Sequence, residues 1–195
     1  MSEEIKVPEF LDVSPEAQAA ADAAMDPNVR PPAGAKVAID KKTGDEYFRW
    51  SEIAVIEEAA SSRSPKGHTC FQVVTKIRPS GDPQNKNVGR KVWTRVYINF
   101  PVLAGAVQDD GLAAMNFRSV GTLQTLLRAT GYAPREPGLK AALLKSLFPV
   151  GGMPPSPLVG KVVVMNLVNS PNKGENVKYD RQTQAESFLP VSQES

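Results

Sequence analysis

Four stretches of the chain hold side chains whose types and spacing could do chemistry. In His68-Thr69-Cys70 an imidazole and a thiol stand two residues apart. On a strand that puts both on one face, as two metal ligands would stand. No second ligand pair completes such a site, and no serine sits in a motif that His68 could serve as a base. Asp109-Asp110 is a carboxylate pair without further clustered acids, too little for metal-assisted hydrolysis. Gly160-Lys161 is followed by Val162 rather than Ser or Thr, so it is not the loop that cradles nucleotide phosphates. Enzyme chemistry is not expected, and neither is a metal or another cofactor.

The fourth stretch is RKVWTRVYINF, Arg90 to Phe100. As a strand it divides by alternation. Val92, Thr94, Val96, Ile98 and Phe100 form a set for a core, and Lys91, Trp93, Arg95, Tyr97 and Asn99 fall on the opposite face. Two large aromatics between cations suit an unpaired nucleic-acid strand. Rings stack on any uncovered base, contributing about 1–3 kcal/mol each by alanine substitution, while Lys and Arg neutralise phosphates. Side chains four residues apart on one strand face stand about 13 Å from each other. Trp93 and Tyr97 would then serve different bases, with Arg95 between them. A duplex hides its base faces, so such a platform selects single strands. The competing reading is that the N-terminal segment or a helical insertion covers both rings, and the sequence leaves the two open. Phe48-Arg49-Trp50 repeats the aromatic–cation theme, but packing is the expectation there, as it is for Phe71.

The formal net charge of +2 conceals an uneven distribution. Residues 1–62 carry 6 Lys/Arg against 13 Asp/Glu, whereas residues 63–100 carry Arg63, Lys66, Lys76, Arg78, Lys86, Arg90, Lys91 and Arg95 against Asp82 alone. A basic block of this kind suits a polyanion. A solvated surface that pairs with the acidic N-terminal arm is the alternative, and charge by itself does not separate them. No apolar run is long enough to span a bilayer, and MSEEIKVPEF lacks the layout of a secretion signal. The single cysteine excludes an internal disulfide framework. A soluble, cytoplasmic protein without membrane attachment is the expectation.

These side chains must be positioned by a β-rich domain. Residues 1–34 read as an acidic arm: Ser14-Pro15-Glu16 starts a short alanine-rich helix, Asp26-Pro27 stops it, and RPPAGA is a linker. A strand at Lys36–Ile39 and a turn at KKTGDE lead to a strand around Ser51–Ala59. The turn SSRSPKG opens into HTCFQVVTKIR, whose Thr69, Phe71, Val73, Thr75 and Ile77 share one face. The loop PSGDPQNKNVG then returns the chain antiparallel as Arg90–Phe100. After a loop without clear period comes a helix bearing Val120, Leu123, Thr125, Leu126 and Leu127, closed by Gly131. GLKAALLKSLF is a second helix, stopped by Pro149. LVGKVVVMNLV and NVKYDRQ form a last hairpin, and residues 184–195 a polar tail.

Three strands, a helical insertion at about 119–148 and a two-stranded hairpin, all within residues 35–183, predict a mainly β fold. The layout is that of a five-stranded OB-fold barrel with a helical insertion between strands three and four and an N-terminal arm. The binding surface of that fold is the face of strands two and three, flanked by the one–two and four–five loops. Arg63 and Lys66 fall in the one–two loop, Lys76 and Arg78 on strand two, and Lys91, Trp93, Arg95 and Tyr97 on strand three. Lys173 falls in the four–five loop. These are the expected nucleic-acid contacts.

Several short runs, in order, carry a family likeness. They are Glu57-Glu58-Ala59 followed by Lys66-Gly67, the GRKVW run Gly89–Trp93, and a leucine helix ending in Gly131-Tyr132. The strand opening Leu158–Lys161 and a last hairpin with Asn176, Val177 and Tyr179 complete the set. Between roughly Ser51 and Pro190 the chain resembles phage-encoded single-stranded-DNA-binding proteins of the OB-fold type. The resemblance implies a non-catalytic role in phage DNA replication or recombination: coating exposed strands, removing hairpins and shielding them from nucleases. It implies the cytoplasm of a bacterial host, with single-stranded DNA as ligand and replication or recombination proteins as further partners. Many single-strand-binding proteins end in an acidic recruiting tail, whereas FLPVSQES holds only Glu194 near its end. A protein-interaction or virion structural module on the same small barrel, its aromatic row a protein interface, is the alternative.

Overall fold

The computed structural model describes residues 29–64, 68–132, 141–172 and 181–191. The helix expected after Ser14 and the contacts Lys66 and Lys173 lie outside them. The frame is an antiparallel sheet of six strands: β1 (Lys36–Ile39), β2 (Glu46–Arg63), β3 (Thr69–Ile77), β4 (Lys91–Ile98), β5 (Val162–Pro171) and β6 (Arg181–Pro190). Their spatial order is β4-β3-β2-β5-β6, with β1 paired to the start of β2. Between β4 and β5 in the chain come α1 (Phe100–Leu103), α2 (Asp110–Ala129) and α3 (Ala141–Leu147). The protein is thus mainly β, as its alternating runs predict. Among the described residues no helix is long and apolar enough to cross a membrane.

Alternation builds the core. Ile56 of β2, Val73 and Ile77 of β3, Ile98 of β4, Met165 of β5 and Phe188 of β6 are all buried on one concave face. Leu123, Leu126 and Leu127 of α2 and Leu144 and Leu147 of α3 close over it. Phe71 meets Phe100 and Phe148 edge-to-face, at centroid distances of 6.4 and 5.1 Å, the arrangement that ring quadrupoles favour. Phe100 therefore joins the core from the first turn of α1 rather than as the last residue of a strand. The other end of the core is polar. Glu52, 4% exposed, accepts hydrogen bonds from Trp50 Nε1 (3.1 Å), Asn85 Nδ2 (2.7 Å) and Asn87 Nδ2 (3.2 Å). The loop before β4 is thereby fastened onto β2, and Asn87 also ties down Arg30 through both of that residue's backbone groups.

Of the five-stranded barrel expected from the sequence, the structure has an open antiparallel sheet, with β4 and β6 as its two edges. Threonines serve the β6 edge where a partner strand would otherwise pair. Thr94 Oγ1 accepts from the Ala185 N–H at 3.3 Å, Thr125 Oγ1 accepts from the Phe188 N–H at 3.1 Å, and Thr122 Oγ1 donates to the Glu186 carbonyl at 3.1 Å. Buried backbone groups need partners, and here α2, running along the seam, supplies two of these three.

Boundaries also differ from the sequence reading. The helical insertion starts at Asp110, not about 119, because Asp109 caps it by accepting from the Leu112 N–H at 2.9 Å. The Asp109-Asp110 pair is thus a helix start. Residues 184–190 are not tail but most of β6, where Glu186 is an extra residue between the Asn166–Ser187 and Leu167–Ala185 pairs. That bulge breaks the two-residue period. Glu57 does the same in β2, between the Ile56–Thr75 and Glu58–Val74 pairs. β2 extends well beyond Ser51–Ala59 at both ends, and β5 begins at Val162 after a turn. Gly131, at φ 82°, ends α2 as expected, with the Tyr132 N–H on the Leu127 carbonyl at 2.7 Å.

Candidate functional site

The antiparallel pairing of β3 with β4 sets four cross-strand pairs in a row on the convex face: Cys70–Tyr97, Gln72–Arg95, Val74–Trp93 and Lys76–Lys91. Trp93 is 45% exposed, Arg95 is exposed, and Tyr97 and Lys91 are partly so. Beneath their backbone Val92, Thr94, Val96 and Ile98 are buried. The strand thus presents an exposed indole and an exposed guanidinium on this face, with Val74 and Cys70 of β3 buried in the same row. Arg95 Nε donates to Gln72 Oε1 at 2.8 Å, which holds the guanidinium beside its cross-strand neighbour.

The two ends of the row differ. At one end Lys76 and Lys91 face each other directly, a repulsive cross-strand pair. The β2 bulge relieves it by turning Glu57 toward Lys91, with Nζ 2.7 Å from Oε2. That hydrogen bond raises the Lys91 pKa above its ordinary 10.5, with desolvation opposing. Lys91 is therefore a neutralised cation, and the acid that neutralises it comes from the bulge. Exposed Glu58 pairs across to Val74, next to Trp93. At the other end burial raises the Tyr97 phenol above its ordinary value of 10.0, helped by the adjoining Cys70 thiol and partly offset by Arg95. Cys70 itself is buried, and His68 turns away from it to Asn99, with Nδ1 3.1 Å from Nδ2. The imidazole and thiol of the His-x-Cys stretch are thus engaged separately. Among the described residues no three His, Cys, Asp or Glu side chains come together as metal ligands.

Arg63 is exposed at the end of β2, where its pairing with Thr69, itself paired with Ile98, gives it the parity opposite to the row. Arg78 is exposed just past β3 at the Lys91 end, and Lys76 is partly exposed. Of the expected contacts, Trp93, Arg95, Tyr97, Lys76 and Lys91 share one face, with Arg78 just past its Lys91 end and Arg63 on the opposite parity at the other end.

Beyond Tyr97 the face runs into a groove of ≈ 1130 Å³ along the open seam. Its walls carry Arg95 and Tyr97 from β4, Phe117 and Arg118 from α2, and Tyr47 and Arg49 from β2. Phe117 is 82% exposed. It lies off the inward stripe of α2, which is formed by Asn116, Ser119, Leu123, Leu126 and Leu127. Asn116 fixes that helix against β4, accepting from the Asn99 N–H at 2.8 Å and donating to the Asn99 carbonyl at 2.9 Å. In the Phe48–Trp50 stretch the packing expectation holds: Trp50 lies against the core and Arg181 stacks over Phe48 at 5.0 Å. Alternation then delivers the neighbouring Tyr47 and Arg49 to the groove. Phe117 is the residue that sequence reasoning passed over. Its signal was an aromatic beside an arginine, off the apolar stripe, and it is visible only once the helix is started at Asp110. No known family model matches the chain, nor does any curated protein. Its function must be read from these side chains.

Proposed function

We propose that the chain binds single-stranded nucleic acid, with DNA as the natural ligand, without catalysis and with little sequence preference. The β3/β4 face stacks bases while arginines and lysines meet phosphates. The observation that carries this reading is Trp93, an indole 45% exposed beside an exposed Arg95 on a strand whose other face is buried. An exposed tryptophan beside a fixed guanidinium offers a flat ring to an unpaired base and a charge to its phosphate. The strand order supports an OB-type domain, a partly open five-stranded barrel that binds through this same face. A part in phage DNA replication or recombination, in a bacterial cytoplasm, follows from the family resemblance.

Intrinsic fluorescence tests the reading. Adding an unpaired oligonucleotide should quench Trp93, and Trp93→Phe should abolish most of the quench while keeping most of the affinity. Trp93→Ala should lose about 1–3 kcal/mol of binding with an unchanged denaturation midpoint, since the ring is half in solvent. An oligonucleotide that binds equally well to Trp93→Ala contradicts stacking at this face.

A further inference from the structure

From these walls we infer that the seam groove is the continuation of the same binding path. A single strand leaving Tyr97 turns between α2 and β2 and stacks a further base on Phe117. This rests on the single-strand reading above and extends it to an element outside the β3/β4 face.

Three elements each bring an aromatic and an arginine to this groove: Arg95 with Tyr97, Phe117 with Arg118, and Tyr47 with Arg49. The lining holds three arginines and one acid, Glu186, which is already engaged by Arg49 at 3.2 Å. The excess is cationic, as phosphates require. Phe117 is 82% exposed, although the buried stripe of α2 passes it at Asn116, one residue before, and at Ser119, two residues after. The inward positions at this level are polar and the outward one aromatic, the reverse of what helix packing asks for. Burying Phe117 against a base recovers that arrangement. Continuity supplies the rest, because Tyr97 and Arg95 belong both to the convex row and to the groove wall. A strand stacked on Trp93 and Tyr97 arrives at the groove mouth.

The experiment measures equilibrium binding of oligothymidylates of about 4 and about 16 nucleotides, the range of footprints on one domain of this kind. It compares the full chain, Phe117→Ala and Phe117→Trp. Because Phe117 is outside the core, both variants should keep the denaturation midpoint of the parent. The short oligonucleotide, spanning only Trp93 and Tyr97, should bind all three chains alike. The long one should bind Phe117→Ala about 5- to 150-fold more weakly, and Phe117→Trp at least as tightly as the parent. If Phe117→Ala binds the long oligonucleotide as the parent does, the continuation is overturned while the Trp93 reading stands. The groove then falls to an extended peptide added to the free β4 edge. Equal losses on both lengths also overturn it, since Phe117 would belong to the primary footprint. If the parent chain binds neither oligonucleotide, the single-strand reading itself fails and takes the continuation with it.

Discussion

Lys91 and Arg95 sit four residues apart on one strand face and are not equivalent. Arg95 is exposed and held by a neutral amide, whereas Lys91 is held at 2.7 Å by a carboxylate. A phosphate approaching Lys91 must first displace Glu57. Replacing Glu57 with Gln should therefore free a cation for binding. We expect tighter binding of single strands and a log–log salt dependence steeper by about 0.7, the increment for one added phosphate contact. An unchanged slope would remove Lys91 from the contact set. The pairing was not legible from the sequence. Glu57 belongs to a different strand, and only the bulge, an extra residue with no composition signature, turns it toward Lys91. The burial of Cys70 and the partial burial of Tyr97 were hidden for the same reason: they depend on which strand lies across from them, not on alternation within one.

At the scale of elements, what could be read was what repeats. β4 alternates cleanly over its eight residues, whereas β3 also buries Cys70 and Val74 on the outward parity; their hairpin appears where the period put it. The second half of α2 carries Leu123, Leu126 and Leu127, and its stop at Gly131 was equally visible. The first half was not, because its inward positions are Asn116 and Ser119. Asn116 serves the backbone of Asn99, just past β4, and two polar inward positions leave no apolar stripe to detect. From residue 184 on, β6 reads as tail in the sequence because it buries only Ala185 and Phe188, three residues apart across a bulge. The seam itself is held by hydroxyls, and this gives a test at the same scale. Thr125→Val keeps the shape but strands the Phe188 N–H, and should cost about 1–3 kcal/mol of stability, read from denaturant unfolding. A loss within a few tenths of a kcal/mol would mean that water or a shift of β6 serves that edge instead.

Across β4, Trp93, Arg95 and Tyr97 are separated from the core by the thickness of one strand. One side of the sheet is sealed by helices, and on the other side of β3 and β4 Trp93 and Arg95 are exposed while Cys70 and Val74 are buried. An acidic stretch precedes the domain in the chain, residues 1–34 holding 7 Asp/Glu against Lys6 and Arg30. Phosphates must therefore outcompete carboxylates wherever the two meet, as they do at Glu57. Such a surface should prefer unpaired strands for the stacking and should respond to salt for the phosphates. The most direct measurement titrates the full chain with an oligonucleotide and with the matching duplex at two salt concentrations. Uncovered rings beside Arg95 predict clearly tighter binding of the single strand, weakening with salt at about 0.7 log units per phosphate contacted. Equal affinity for the duplex, or single-strand binding indifferent to salt, would contradict base stacking on Trp93 and Tyr97 as the way this chain works.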